Sequence, residues 1–165
     1  MRPPFFALIL TLLACGLGAG PCAADTAVAF QGLRAGAGKP VEITADQLQV
    51  NQTDGQATFS GNVRVVQGDL HMASDELIVD YVTGSKTSVD KLHANGHVLL
   101  STPTEAAQSD KAIYSVTNSQ LEMTGDVLLN QTGNTMSGSR LTVDMNTGIG
   151  HMDGRVKSVL QPGGN

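Results

Sequence analysis

Hydrophobic and polar residues alternate with a period of two through most of the chain beyond residue 40. In Ala57–Val65 the odd positions are Ala, Phe, Gly, Val and Val, whereas the even positions are Thr, Ser, Asn and Arg. Successive side chains of a β-strand point to opposite faces, so this alternation predicts strands with one buried and one solvated face. Such half-buried strands are typical of antiparallel sheets. No helical period follows residue 24, and we therefore expect an all-β fold.

Short segments rich in turn-forming residues separate these strands. Each contains Gly, Asn, Asp, Ser or Thr, the residue types that favour tight turns. They are residues 52–55, 67–69, 84–86, 101–104, 117–119, 131–134 and 146–148. The pattern therefore predicts consecutive strands joined by short connections.

Two motifs recur along the chain. One contains a glycine between polar residues, followed by valine, and the other begins with a small residue followed by aspartate or serine. The glycines are Gly61, Gly96, Gly125 and Gly154, and the second series is Asp46, Asp75, Asp110 and Ser139. Each series has a spacing of 29 residues except for one spacing of 35, and one six-residue insertion within Thr83–Asp90 accounts for both exceptions. The sequence thus predicts four repeats of about 29 residues.

One repeat of two amphipathic strands cannot bury its apolar face alone, but stacked repeats can do so as two facing sheets. The repeated glycine has the parity of the buried face, where it can bend the strand or admit the opposite sheet. The repeated aspartate has the same parity, and an unpaired buried carboxylate is costly. We therefore expect each aspartate at a corner or bulge, hydrogen-bonded to a turn, with a change of register nearby.

The first 24 residues have the features of a secretory signal peptide. Arg2 supplies a positive charge, Phe5–Ala14 is apolar but too short to span a bilayer, and Cys22–Ala24 ends in small residues before Asp25. The alternative is a lipoprotein signal at Leu12–Cys15, which would leave a lipid-anchored Cys15. Beyond the signal peptide we expect a flexible segment over 25–39 with a short strand near Ala27, one domain over 40–160 and a disordered tail over 161–165.

Composition limits what the exported chain can be. Both cysteines lie in the signal peptide, so the exported chain has no disulfide and needs an apolar core. Four aromatic residues remain, and the core must therefore consist mainly of Val, Leu, Ile and Met. Removing Arg2 changes the net charge from −5 to −6. An acidic chain lacks the basic surface that phosphate backbones require, which argues against nucleic acid as a partner.

Neither a metal site, a cofactor site nor a catalytic set is predicted. His93 and His97 are four residues apart, which on a strand is about 13 Å and too far for one metal ion. The repeated aspartates lack the dense Gly-Asp runs of calcium-binding β-rolls. No nucleophile, base and acid occur in a recognisable arrangement.

The motifs resemble those of the OstA-type, LptA-like family of periplasmic lipopolysaccharide transport proteins. The resemblance rests on Ile43–Asp46, Phe59–Val63 with Gln67-Gly68, and Met72–Asp75, and it extends over about residues 40–162. It implies a twisted, slightly open β-jellyroll whose apolar interior holds the acyl chains of lipopolysaccharide. Such molecules join end to end between the inner and outer membranes.

By this resemblance, several apolar residues line the acyl-chain site. They are Val41, Ile43, Leu48, Phe59, Val63, Leu77, Val79, Tyr114, Val116, Leu121, Met123 and Leu141. The resemblance also implies an LptC-like partner at the N-terminal edge, near Val41–Thr44, an LptD-like partner at the C-terminal edge, near Val156–Leu160, and head-to-tail self-association. Two other functions remain open on the residues: a structural repeat of the cell envelope, and a β-helical polysaccharide-active enzyme.

Overall fold

The computed structural model describes residues 27–29, 39–85 and 88–161. These residues form strands and no helix, and accordingly none of them belongs to a helix that could cross a membrane. The strands are β1 (Ala27–Ala29), β2 (Glu42–Thr44), β3 (Gln47–Asn51), β4 (Gln56–Gln67), β5 (Leu70–Tyr81), β6 (Val89–Ser101), β7 (Glu105–Ser115), β8 (Gln120–Gln131), β9 (Asn134–Asp144), β10 (Ile149–Asp153) and β11 (Lys157–Val159). The predicted signal peptide, the alternative anchor at Cys15 and residues 162–165 lie outside the described residues.

The strands form one antiparallel sheet in which chain neighbours are spatial neighbours. From β4 to β9 each strand pairs with the next one along the chain. At the start, β2 and β3 both pair with β4, and at the end β10 and β11 both pair with β9. This arrangement confirms the predicted all-β class.

The long strands bend at the repeated glycines. Ser60 of β4 pairs with Glu76 of β5, but the next pair is Val63 with Ser74, so two residues of β4 oppose one of β5. Gly61 and Asn62, the two extra residues, both have positive φ, at 78° and 48°. Bulges of this kind bend a strand and increase its twist. Equivalent register shifts occur in β6 and β8, where the repeated glycines Gly96 and Gly125 lie.

Both halves of the bent strands contribute to one core. In β8, Met123 precedes the bulge and Val127 follows it, and both are fully buried in the same apolar cluster. No helix covers the sheet in the described part of the chain, so the sheet covers itself by folding over along its line of bulges. The result is an open β-jellyroll, as the resemblance implied.

The structure has the short strand expected near Ala27, and Gln161, the first residue of the predicted tail, contacts the sheet. Residues 27–29 form β1, which pairs antiparallel with β10 at the far end of the sheet. The predicted tail begins with an ordered residue, because the backbone N–H of Gln161 donates a 3.1 Å hydrogen bond to Asn134 Oδ1. Contacts with the sheet therefore order at least one short piece of each segment.

Candidate functional site

The repeated aspartates lie against the repeated glycines, as expected for corner residues. A Cβ atom added to Gly61 would lie 2.6 Å from Oδ2 of Asp46, and one added to Gly96 would lie 2.8 Å from Cγ of Asp75. Asp110 contacts Gly125 in the same way. The aspartates are exposed at the corners, so their carboxylates are not buried in the core despite their parity.

At the first two corners, the residue after the glycine adds a second contact. The side-chain amide of Asn62 donates a 2.8 Å hydrogen bond to Asp46 Oδ2, and His97 Nδ1 lies 2.8 Å from Asp75 Oδ2. Polar residues that tolerate positive φ are suited to this position. The contacts join neighbouring strands where the bulge interrupts the backbone ladder.

The fourth corner has a different composition. Ser139 occupies the position of the aspartates, and its hydroxyl lies 3.4 Å from the carbonyl oxygen of Gly154, to which it donates. The residue after this glycine is Arg155, also with positive φ. This corner therefore has a basic residue and no carboxylate from the second motif.

The hydrogen bond from Asp75 raises the pKa of His97 above its ordinary value of 6.5, and the negative charges of Asp75 and Asp110 act in the same direction. Because the folded-state pKa is raised, protonation of His97 favours the folded state. This contribution is complete below pH 6.5 and is lost as the pH rises through the raised pKa. Solvent screening keeps it small, since His97 is fully exposed.

We expect His97→Asn to abolish this pH dependence while preserving the corner, because asparagine occupies the equivalent position at residue 62. The melting temperature of the parent minus that of the variant should be greater at about pH 5.5 than at about pH 8.5. Thermal denaturation of both proteins measures the difference. An unchanged difference between the two pH values would contradict the assignment.

The twelve predicted lining residues fall into three groups by exposure. Val63, Leu77, Val79, Leu121, Met123 and Leu141 are buried in the core. Ile43, Phe59 and Tyr114 are partly exposed while packing against that core. Val41, Leu48 and Val116 are exposed. The predicted residues therefore extend along the apolar face from the core to the exposed N-terminal end of the sheet at Val41 and Leu48. Val116 is separate from that end and directly follows β7.

Apolar side chains are also exposed at both ends of the sheet. Leu48 and Val50 of β3 are 57% and 60% exposed, although their alternation matches that of buried strands. At the other end, Val159 and Leu160 are exposed as well. These faces are apolar because the alternation of apolar residues continues into the end strands. They are exposed because no further strand packs beside them.

An open groove of about 490 Å³ lies at the fourth corner. Its lining includes Asp126, Ser137, Ser139 and Arg155 beside Val127. This mixed polar surface differs from the apolar interior and is unsuited to an acyl chain.

The two histidines that share β6 have separate carboxylate partners. His93 Nε2 lies 2.9 Å from Asp80 Oδ2, whereas His97 contacts Asp75. Within residues 27–29, 39–85 and 88–161, no cluster of three or more metal-ligating side chains was found. The carboxylates instead have local structural contacts.

The predicted lining set is incomplete. Val98, Val127, Leu129 and Val143 share the alternation of the buried face and are buried as deeply as Leu77 and Met123, although the set omits them. The pairing of β1 with β10 has no signal in local patterns, because the two strands are more than a hundred residues apart in the sequence.

Comparison with known proteins identifies the family. The model of the family described as LptA/(LptD N-terminal domain) LPS transport protein matches residues 42–149. The chain belongs to this family. Its members are transport proteins rather than enzymes, and the OstA-type, LptA-like resemblance of the motifs is thereby confirmed.

Two individual proteins extend the comparison. An uncharacterized protein of Rhizobium meliloti (strain 1021) is 30% identical over 172 residues, which cover 95% of this chain and 92% of that protein. The crystal structure of LptH from Pseudomonas aeruginosa, described as the LptA-homologous periplasmic component of the conserved lipopolysaccharide transport device, matches with a TM-score of 0.69. It is 18% identical and covers 78% of this chain and 99% of the LptH chain, so it supports the shared fold.

Proposed function

We propose that this protein acts in the periplasm as a lipopolysaccharide-binding bridge, sheltering acyl chains in the interior of its β-jellyroll between the inner and outer membranes. Family membership supports the transport role. The observation that carries the acyl-chain assignment is the continuous apolar face that runs from the buried core to the exposed Leu48 and Val50.

The physical need for such an interior follows from the cost of exposing lipid to water. An acyl chain of about 12 carbons costs on the order of 10 kcal/mol to hydrate, at about 0.8 kcal/mol for each CH₂ group. Lipid A carries several chains, so unassisted diffusion through an aqueous compartment is negligible. A protein that offers each chain an apolar wall removes most of this cost.

The lining residues have different roles in this proposal. Leu77 and Met123 pack without solvent exposure, so acyl chains enter by parting the two halves of the folded sheet. Ile43, Phe59 and Tyr114 contact the chains first, because they are partly exposed and adjoin the core. The acidic charge of the protein is poorly suited to lipid A phosphates, so recognition depends on the acyl chains and leaves the sugars in solvent.

Photo-crosslinking tests the interior directly. Photoreactive residues at Ile43, Tyr114 and Val116 are expected to capture lipopolysaccharide in cells, whereas Thr58 and Glu122, on the opposite strand face, are expected to capture several-fold less. Immunoblotting for lipopolysaccharide in the crosslinked product provides the measurement. Equal capture from both faces would contradict the acyl-chain site.

In this proposal, the two ends of the sheet are the surfaces to which partner proteins bind. Unpaired edge strands can accept a further strand from another protein. An LptC-like protein joins the N-terminal edge at Val41–Thr44, an LptD-like protein joins the C-terminal edge at Val156–Leu160, and further copies join head to tail. Contacts of that kind do not close into a ring and give filaments.

Depletion and binding experiments separate this function from that of a purely structural repeat. On depletion, newly made lipopolysaccharide should accumulate at the inner membrane, and the purified protein should bind a fluorescent lipopolysaccharide analogue. Co-purification with variants at each edge then tests the partners. A structural protein of the envelope would give neither accumulation nor binding.

A further inference from the structure

The two ends of the sheet differ in how much of their edge is free. Within the described residues, β2 and β3 pair only with β4, and β11 pairs only with β9. The outer edge of β10 instead carries β1, with Ala27 opposite His151, Val28 opposite Gly150 and Ala29 opposite Ile149. One half of the C-terminal edge is therefore already paired within the chain.

The internal repeats indicate which strand a second copy would add to β10. Inside the chain, a strand with the repeated glycine is followed by a strand with the repeated aspartate or serine, and the two pair in a constant register. The residue four positions before the glycine lies opposite the residue four positions after the aspartate or serine. This holds for Ala57 with Val79, Leu92 with Tyr114, and Leu121 with Val143.

Continuing the same register across two molecules places Val50 of a second copy opposite Gly150. Gly150 is four residues before Gly154, and Val50 is four residues after Asp46. In the single chain, Val28 of β1 is the residue opposite Gly150. The strand β1 thus occupies the position of β3 of a second copy, in the same antiparallel direction.

The exposed surfaces of the two ends are complementary in this register. Leu48 and Val50 are exposed because β3 pairs with β4 on one side and has no described strand on the other. Arg155 adjoins Ser139 instead of an aspartate, and the same register brings Asp46 of the second copy to its other side. The corresponding relation inside the chain is that of His97 to Asp110, whose charge acts on the histidine.

We infer that β1 is an intramolecular substitute for β3 of a second copy, and that head-to-tail association proceeds by displacement of β1 from β10. This inference rests on the head-to-tail assembly in the proposed function. A chain whose β1 remains paired presents only β11 to a second copy. Release of β1 allows the complete β2–β3 edge to pair with β10 and β11, and the line of corners then continues from one molecule into the next.

A reversible disulfide tests the displacement in the exported chain. Ala29→Cys with Ile149→Cys joins directly opposed residues, whose Cα separation in an antiparallel pair suits a disulfide. The oxidised variant is expected to remain monomeric in analytical ultracentrifugation at concentrations where the parent associates, and reduction should restore association. The Ile149→Cys variant alone, kept reduced, is the matched control. Equal association of the oxidised and reduced forms would overturn the inference.

Removal of β1 provides the opposite perturbation. A chain that begins at Gln31 should associate at roughly tenfold lower concentration than one that begins at Asp25, because it has no pairing to release. Weaker association of the shortened chain would mean that β1 is donated to the neighbouring molecule, and this too would overturn the inference.

Lipopolysaccharide binding separates failure of this inference from failure of the proposed function. Each variant is titrated with the fluorescent analogue at a concentration where it is monomeric. Binding with unaltered self-association would reject the role of β1 alone. Absence of binding by the parent chain would instead reject the proposed function, whatever the association data show.

Discussion

Replacing Gly96 by valine is expected to lower the free energy of unfolding by about 3–5 kcal/mol, among the largest effects of any single substitution in this protein. Gly96 has a φ of 75°, which a β-branched residue adopts only with strain. An added Cβ would also lie 2.8 Å from Cγ and 2.9 Å from Cβ of Asp75, which is too close for packed atoms. The valine would therefore displace the carboxylate from the corner as well as strain the backbone.

Gly84→Val is the matched control for this substitution. Gly84 has a φ of 82°, but an added Cβ there would have no atom within 4 Å. Backbone strain alone should cost about 1–2 kcal/mol at Gly84. Urea denaturation of both variants measures the difference, which represents the contribution of the corner contact. Similar losses at Gly84 and Gly96 would show that the aspartate contributes nothing beyond backbone strain.

Truncation of Leu77 to alanine is expected to destabilise the protein by about 2–5 kcal/mol, since it removes buried methyl groups and leaves a cavity. Leu77 has no solvent exposure and lies in the middle of β5, opposite Phe59 of β4. Its neighbours belong to a β-sheet fixed on both sides, so the structure can collapse only partly into the vacated space.

The control for Leu77→Ala is Leu48→Ala, a change of the same residue type on the other side of the same phenylalanine. Leu48 of β3 also pairs with Phe59, yet it is 57% exposed. Its truncation should cost less than about 1 kcal/mol in stability. In the proposed function it should instead weaken head-to-tail association, because it removes apolar surface from the docking edge. Urea denaturation and analytical ultracentrifugation together distinguish these effects, and equal destabilisation by both truncations would contradict the difference in burial.

The contrast between these two leucines explains how one repeated pattern can provide both a core and a binding surface. β5, which contains Leu77, lies between β4 and β6. In contrast, β3, which contains Leu48, pairs with β4 on one side and has no described strand on the other. The same alternation is therefore buried in the middle of the sheet and exposed at its end. We expect proteins of this design to depend on neighbouring molecules for cover at the ends, and on reversible separation of the sheet halves for access to the interior.

The alternation of residue types was sufficient to determine the fold class. A period of two indicates strands, the turn segments indicate their ends, and the recurring aspartate indicates corners. The recurring glycine was compatible with either a bend or close approach of the opposite sheet, and the structure shows the bend. These features are local or repeat at a constant interval, so they can be recognised without knowledge of the tertiary structure. The positions of Asp46, Asp75 and Asp110 at the corners followed from the cost of burying a carboxylate.

Only the tertiary structure determined which apolar residues are buried and which remain exposed. Leu48 and Leu77 have equivalent positions in the repeats. Their exposure differs because β5 has a neighbouring strand on both sides, whereas β3 has one on only one side. The pairing of β1 with β10 likewise joins opposite ends of the chain and depends on how the whole sheet folds over. Local sequence determines the conformation of each strand, whereas long-range pairing determines which edges and faces are left for a ligand or a second molecule.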